Sequence, residues 1–325
     1  MYPDYLNLSK KQLDQRIEKF FKILENCEIC PKKCHRNRLA SEKGFCQLGS
    51  LPMVSAHHPH FGEESVLVGN YGSGTIFFCS CNLACVFCQN YEISQLRIGS
   101  PSQVLPSKIW EGKEISLKRL AEMMIELQNL GCHNINFVTP TSQVPQIVKA
   151  LAIAIEKGLK LPLVYNTNAY DSVEVLKLLD GIIDIYMPDA KYSDDKIALK
   201  YSSALYPPKF SKGKLRRAGY FEIMKAAIKE MHRQVGDLII NKGGIAVRGL
   251  LIRHLVLPNR LAGSEKILEF IAKEISKKSF VNILSQYWPA WKAREFPELN
   301  RRIMENELEE VINYARKIGL TNFIF

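Results

Sequence analysis

Apolar and polar positions along the 325-residue chain fall into three regimes. Near the start, Leu13, Ile17, Phe20 and Leu24 recur at spacings of four, three and four, which puts them on one face of a helix. From about residue 70 to 290, short apolar runs of β character alternate with helical patterns. Strands are expected at 75–78, 134–138, 163–166, 182–187, 250–257 and 281–284. Helices are expected near 116–130, 143–157, 172–179, 220–234 and 264–275. Strands separated by helices build βαβ units on a parallel sheet, and six such units make a partial, laterally open barrel. A closing helix carries Leu308, Val311, Ile312 and Ala315 on its apolar face and ends at Gly319, a C-cap, before a short terminal strand. The His-, Gly- and Glu-rich stretch after Cys46 reads as loop, and so does the Pro- and Lys-rich stretch 207–217. The expected organisation is α/β. Residues 1–70 supply an N-terminal helix and a cysteine-rich metal-binding segment, and residues 71–325 a partial (β/α)6 barrel with a C-terminal helix.

Composition narrows the function classes. A hydrophobic share of 46% supports a large core and excludes wholesale disorder. No apolar run approaches the roughly 18 residues of a membrane span, and the polar start lacks a secretory h-region, so a cytoplasmic protein is expected. The net charge of +11 comes from lysines scattered over the expected helices, which favours a solvated surface while leaving a nucleic-acid partner open. Cysteines change the picture more. Eight of the nine fall before residue 90 in two groups, and clustered thiols in a reducing compartment serve metals or catalysis. Cys132 stands alone and reads as a small buried hydrophobe.

The second group lies in the segment from Gly72 to Tyr91, where Cys81, Cys85 and Cys88 have the spacing C-x3-C-x2-C directly after the apolar run Thr-Ile-Phe-Phe. They therefore sit at a strand's C-terminal end, where barrel enzymes place their chemistry. A 4Fe–4S cubane usually takes four thiolates. Three leave one iron open to the amino and carboxylate groups of S-adenosylmethionine (SAM). Zinc is the competing metal, but it prefers four ligands. Cys79 is the only extra thiol nearby, and it falls within the strand end, so it reads as a bystander.

At these residues the chain resembles the radical SAM superfamily, which also carries an aromatic before the third cysteine, here Phe87. The runs G-S-G-T-I-F-F, C-Q-N-Y-E-I-S-Q, H-N-I-N-F-V-T-P-T, K-E-M-H-R-Q-V-G-D-L, R-H-L-V-L-P and P-E-L-N-R-R-I resemble the branch of pyruvate formate-lyase activating enzymes, over roughly residues 27–303. The resemblance implies a partial (β/α)6 barrel that reductively cleaves SAM to a 5′-deoxyadenosyl radical. It implies an electron donor such as flavodoxin or ferredoxin, and hydrogen abstraction from a substrate, in this branch a glycine of a glycyl radical enzyme. A peptide, RNA or metabolite substrate stays open. So does a reading of another class, a non-catalytic metal-stapled module that binds nucleic acid.

The resemblance also implies site residues. Phe87 lies near the adenine. Thr139 and Thr141 stand where the superfamily has Gly-Gly-Glu for the SAM amino group, so no carboxylate is expected there. Asn166 and Asn168 fall in Y-N-T-N-A, similar to the activase Asp-Thr-Asn-Gly with Ala169 for glycine, and Asn168 is expected at the ribose. Asp189 and Lys191 resemble the activase Asp-x-Lys at the methionyl end of SAM, and Arg253 resembles an arginine suited to its carboxylate. His254 is expected to pack, and Gln286, Tyr287 and Trp288 to line the mouth or pack. In the first cysteine group, Cys27, Cys30, Cys34 and Cys46 are spaced to hold a second metal, either zinc or an auxiliary iron–sulfur cluster. His57, His58 and His60 with Glu63 and Glu64 look like ligands but lack a firm ligand spacing, and Pro59 interrupts them.

Overall fold

Runs buried on both faces form the centre of the sheet, as parallel strands covered by helices require. In this computed structural model, which describes residues 3–95, 112–204, 209–211, 214–216 and 219–325, the strands in chain order are β1 (Met53–His60), β2 (Ser73–Phe78), β3 (Lys113–Glu114), β4 (Ile135–Val138), β5 (Leu163–Thr167), β6 (Ile185–Pro188), β7 (Lys209–Ser211), β8 (Lys214–Arg216), β9 (Ile239–Ile240), β10 (Ala246–Leu255), β11 (Phe280–Leu284) and β12 (Phe323–Ile324). The helices are α1 (Lys10–Glu25), α2 (Ser65–Val68), α3 (Tyr91–Ser94), α4 (Leu117–Asn129), α5 (Val144–Glu156), α6 (Val173–Leu178), α7 (Asp195–Ser202), α8 (Tyr220–Val235), α9 (Ser264–Phe270) and α10 (Glu305–Lys317).

The 10-stranded sheet runs β12-β11-β10-β6-β5-β4-β2-β1-β3, with β9 paired to β10. Strands β2, β4, β5, β6, β10 and β11 are parallel to their neighbours in this series and match the six expected from the sequence. The order does not close, leaving a partial barrel with β12 added in parallel at one edge. Helix α1 starts in a capping box between Ser9 and Gln12. Its Leu13, Phe20 and Leu24 join the same hydrophobic core as the barrel strands, each contributing roughly 1.5–3 kcal/mol if fully buried. The division expected at residue 70 therefore runs through a shared core.

Three expectations need correction. The stretch after Cys46 is not loop: β1 pairs antiparallel with β2 from Val54↔Phe78 to His60↔Ser73. Its histidines and Pro59 hid it, because an outer antiparallel strand keeps partly exposed polar residues that a buried run lacks. The 207–217 stretch contains a hairpin of β7 and β8, while residues 207–208, 212–213 and 217 lie outside the described residues. The strand expected at 182–187 starts only at Ile185, because the Ile182 N–H turns back to the Leu179 carbonyl at 2.8 Å. Among the described residues, no helix is long and apolar enough to cross a membrane.

Candidate active site

Strand β2 delivers the three-cysteine loop to the C-terminal edge of the parallel sheet. Cys79 ends the run: its N–H donates to the Met53 carbonyl (2.9 Å) and its carbonyl accepts from Gln143 Nε2 (2.8 Å). It is buried, and burial pushes its thiol up to about 12. Ser80 then takes a left-handed φ of 72°, and the loop curls until Ala84 N–H reaches the Ser202 carbonyl (2.9 Å) and Val86 N–H the Tyr201 carbonyl (2.8 Å). Helix α7 thus holds the loop from behind.

The curl turns Cys81, Cys85 and Cys88 onto the wall of one cavity of about 470 Å³. Each sulfur has a polar neighbour. Cys81 accepts from the Leu83 N–H (3.3 Å) and Asn168 Nδ2 (3.2 Å), Cys85 accepts from Ser202 Oγ (3.0 Å), and Cys88 lies 3.2 Å from Ser94 Oγ. Hydrogen bonds to sulfur are among the groups that set an iron–sulfur centre's potential. Burial, with Cys85 beside it, pushes the Cys88 thiol up to about 11, so this site favours a thiolate only when a cation is present. Three sulfurs on an otherwise open cavity fit a cluster with one iron left accessible.

The other parallel strands supply the remaining walls. Thr139 follows β4, Asn166 and Asn168 lie at the end of β5, Asp189 and Lys191 follow β6, and Arg253 projects from β10; all line the cavity with Phe87. Asp189 is the hub of their charges. Lys191 Nζ lies 2.8 Å from its Oδ2, and Arg253 Nε donates to its Oδ1 at 2.7 Å. Burial alone would raise the Asp189 carboxyl, but Arg253 and Lys191 outweigh it and hold the group below its usual value. Arg253 also donates to Asn166 Oδ1 (2.6 Å) and reaches Glu63 Oε2 (3.4 Å). The Tyr220 hydroxyl ties these loops together, lying within 3.1 Å of the Lys191 N–H and of the Asn168 and Asp189 carbonyls.

Comparison with known families identifies the family of the chain. The model of the Radical SAM superfamily matches residues 75–246, more than half of the chain. The chain belongs to the radical SAM superfamily. A curated relative, the uncharacterized protein MJ0674 of Methanocaldococcus jannaschii, is 34% identical over 95% of this chain and 79% of its own length. Among solved structures, methylornithine synthase (PylB) is 14% identical with a TM-score of 0.44, covering 75% of this chain and 61% of its own. HydG, a maturase of the [FeFe]-hydrogenase, is 12% identical with a TM-score of 0.41, covering 99% and 64%. This chain thus spans less than two thirds of either solved structure.

Within this radical SAM frame, some expected residues stand apart from the cavity. Thr141 is buried away from it and donates to Asp171 Oδ1 at 2.8 Å, in a network with Thr167 and Tyr165. Thr139 lines the cavity in a left-handed φ of 61°, and Ala169 has a φ of 59°, so both hold a conformation that glycine adopts freely. His254 is packed, with its ring nitrogens on the Ala190 carbonyl (2.6 Å) and Ser264 Oγ (2.8 Å), and burial pushes it down to about 4. Gln286 lines the cavity, Tyr287 is buried against Phe87 with ring centroids 5.8 Å apart, and Trp288 is exposed. Of the three histidines of β1, His57 turns away to bond Glu126 at 2.7 Å, while the His58 and His60 rings lie edge to face with centroids 5.7 Å apart and both pack on Phe77. Cys132 is buried in the core.

Cys27, Cys30, Cys34 and Cys46 line a second, far smaller cavity of about 10 Å³. Burial raises the Cys27 and Cys30 thiols, and the neighbouring cysteines raise Cys30 further. Among the described residues, no three His, Cys, Asp or Glu side chains already form a closed metal-ligating group. The two cysteine groups adjoin: Ser80 Oγ donates to the Cys46 carbonyl at 2.6 Å, and Asn82 lines the small cavity while bonding Asn168 at 2.7 Å. Sequence reading passed over Ser202, Tyr220 and Asn82. Asn82 lies inside the cysteine loop and could have been noticed there, whereas nothing local marks Ser202 or Tyr220.

Proposed function

We propose that this radical SAM enzyme abstracts hydrogen from a protein glycine, in the manner of the activating enzymes of glycyl radical enzymes. The observation that carries this reading is the meeting of Y-N-T-N-A and D-A-K, the two activase-like runs, on the cavity that also holds the three cysteines. Cys81, Cys85 and Cys88 would hold a 4Fe–4S cluster, which when bound supplies the electron that cleaves SAM to a 5′-deoxyadenosyl radical. Asn168 is assigned to the ribose, Phe87 to the adenine, and Asp189, Lys191 and Arg253 to the methionyl end. The Lys191 ammonium and Arg253 guanidinium are the cations of the cavity wall suited by charge to a carboxylate. Val138, Leu255 and Leu284 add apolar wall that limits water around a reactive intermediate.

Radical SAM enzymes generally take electrons from flavodoxin or ferredoxin, and the same donors are assigned here. Cys27, Cys30, Cys34 and Cys46 are assigned a second metal, zinc or an auxiliary iron–sulfur cluster, and the chain a cytoplasmic location. Membership of the superfamily weighs against a non-catalytic nucleic-acid module. The glycine reading is tested by incubating reduced, SAM-loaded enzyme with each glycyl radical enzyme of its host. A glycine-centred EPR doublet is expected with one of them. Its absence with all of them would remove the glycine and leave a peptide, RNA or metabolite as substrate.

A further inference from the structure

The connection that leaves β1 after His60 begins Phe61-Gly62-Glu63-Glu64; Glu63 lines the cavity and Glu64 is buried. The Glu63 side chain is only 9% exposed. Among the described residues its one cation is Arg253, at 3.4 Å, and that guanidinium is shared with Asp189 at 2.7 Å and Glu64 at 3.9 Å. Lys191 is committed to Asp189. Three carboxylates thus face two cations among the described residues. His60, also on the cavity wall, is pushed toward its neutral form by burial and then by His58.

Polar capacity beneath the cavity is also unused. Glu64 accepts from Asn282 Nδ2 (2.9 Å) through Oε1, but its buried Oε2 has no hydrogen-bond partner among the described residues. Burial pushes the Glu63 carboxyl up to about 7 although Arg253 pulls it down, and Asn136, fully buried on β4, adds a smaller downward pull, yet neither of its amide atoms completes a hydrogen bond of normal geometry. Buried polar groups are nearly always paired, and buried charges are balanced. Arg253 alone does not keep Glu63 fully ionised at neutral pH, and this under-served carboxyl faces the cavity.

We propose that Glu63, backed by Asn136 and Glu64, is a subsite for a primary amine of the bound ligands. The inference rests on reading the cavity as the SAM and substrate site. It restores to the site the carboxylate that Thr139-Pro140-Thr141 does not provide, from a different part of the chain. The amine has two sources: the methionyl amino group of SAM or an amino group of the substrate. Arg253 then serves two oxygens of opposite origin, Asp189 on one side and Glu63 on the other, and holds Glu63 in place until the amine arrives.

The test uses anaerobically reconstituted wild type and Glu63→Gln, with calorimetric titration by S-adenosylhomocysteine and by its desamino analogue. If the methionyl amine is the ligand, wild type prefers the amino compound at least 10-fold and Glu63→Gln loses that preference while binding the desamino analogue as before. A second arm titrates propylammonium chloride into enzyme saturated with S-adenosylhomocysteine. Amine binding seen in wild type and lost in Glu63→Gln, with nucleoside affinity unchanged, assigns the subsite to the substrate. Glu63→Gln indistinguishable from wild type in both arms overturns the inference and leaves the functional reading standing. Wild type that binds no S-adenosylhomocysteine overturns both. If Glu63→Gln melts early, Glu63→Asp takes its place. It keeps the charge one methylene short, and the same preference should shrink but persist; an unchanged preference would again overturn the inference.

Discussion

The molecule holds two groups of cysteines in adjoining positions, and their surroundings are opposite. Cys81, Cys85 and Cys88 face a cavity of about 470 Å³ with charged walls, whereas Cys27, Cys30, Cys34 and Cys46 enclose about 10 Å³. The smaller space is about that of one water, so it admits an ion's coordination sphere but no substrate. Structural metal sites are closed by four protein ligands, and catalytic ones keep a position open. In the proposed reading the cysteine count matches this division, and the fold reinforces it. The three-cysteine loop hangs at the C-terminal edge of the parallel sheet, where six strands deliver side chains. The four-cysteine segment is pinned from behind by Arg38, which is buried and donates to the Gly49 carbonyl (2.9 Å) and the Ser142 carbonyl (2.8 Å).

The sharpest way to break this comparison is Cys30→Ser. A structural metal supplies folding energy on the order of 10 kcal/mol, comparable with the whole stability of a domain. The variant is expected to lose the second metal and to melt far below wild type, by calorimetry and metal analysis. Unchanged melting and metal content would show that the closed group is not a metal centre.

Next comes Arg253→Gln on the open side. It leaves Asp189 and Glu63 without their main cation, and breaking a buried ion pair costs about 3 kcal/mol at the low end of the usual range. The low end applies because Asp189 keeps some solvent contact, at 21% exposure. Urea unfolding measures the loss, and weakened S-adenosylhomocysteine binding should accompany it. A variant with wild-type stability and affinity would mean the charged wall is only a surface network.

Thr141→Val separates the cavity from the network behind it. Removing the hydroxyl leaves buried Asp171 with one donor fewer, at a cost of about 1–3 kcal/mol. SAM affinity should stay the same, since Thr141 does not line the cavity. A loss of affinity without loss of stability would return Thr141 to the binding site.

The smallest effect is expected from Ala169→Gly. A non-glycine residue in the left-handed region is strained by roughly 1–2 kcal/mol, partly offset by the greater freedom of glycine in the unfolded chain. A gain of about 0.5–1 kcal/mol in urea unfolding is therefore expected. Destabilisation would show that the Ala169 methyl packs well enough to outweigh the strain.

Much of this was legible in the sequence, and the exceptions have physical causes. The six parallel strands announce themselves because both faces are buried and the runs are continuously apolar. Strand β1 does not, because its partly exposed histidines and Pro59 look like loop. The three-cysteine loop is readable because its cysteines lie within eight residues of one another. Ser202, which braces Cys85 from 117 residues away, and Tyr220, which braces the loop at Asn168 from 52 residues away, come from helices that only the fold brings in. Thr139 and Thr141 show the same limit at short range. They are two residues apart, but a 3-10 turn starting at Thr141 sends one side chain to the cavity and the other to Asp171.

The most direct test of the central claim is anaerobic reconstitution of wild type and Cys85→Ala with iron and sulfide, followed by dithionite and SAM and an assay for 5′-deoxyadenosine. Product from wild type and only background from Cys85→Ala is the predicted result. Equal product from both, or none from wild type carrying a full iron complement, would contradict the assignment of the open site to SAM cleavage.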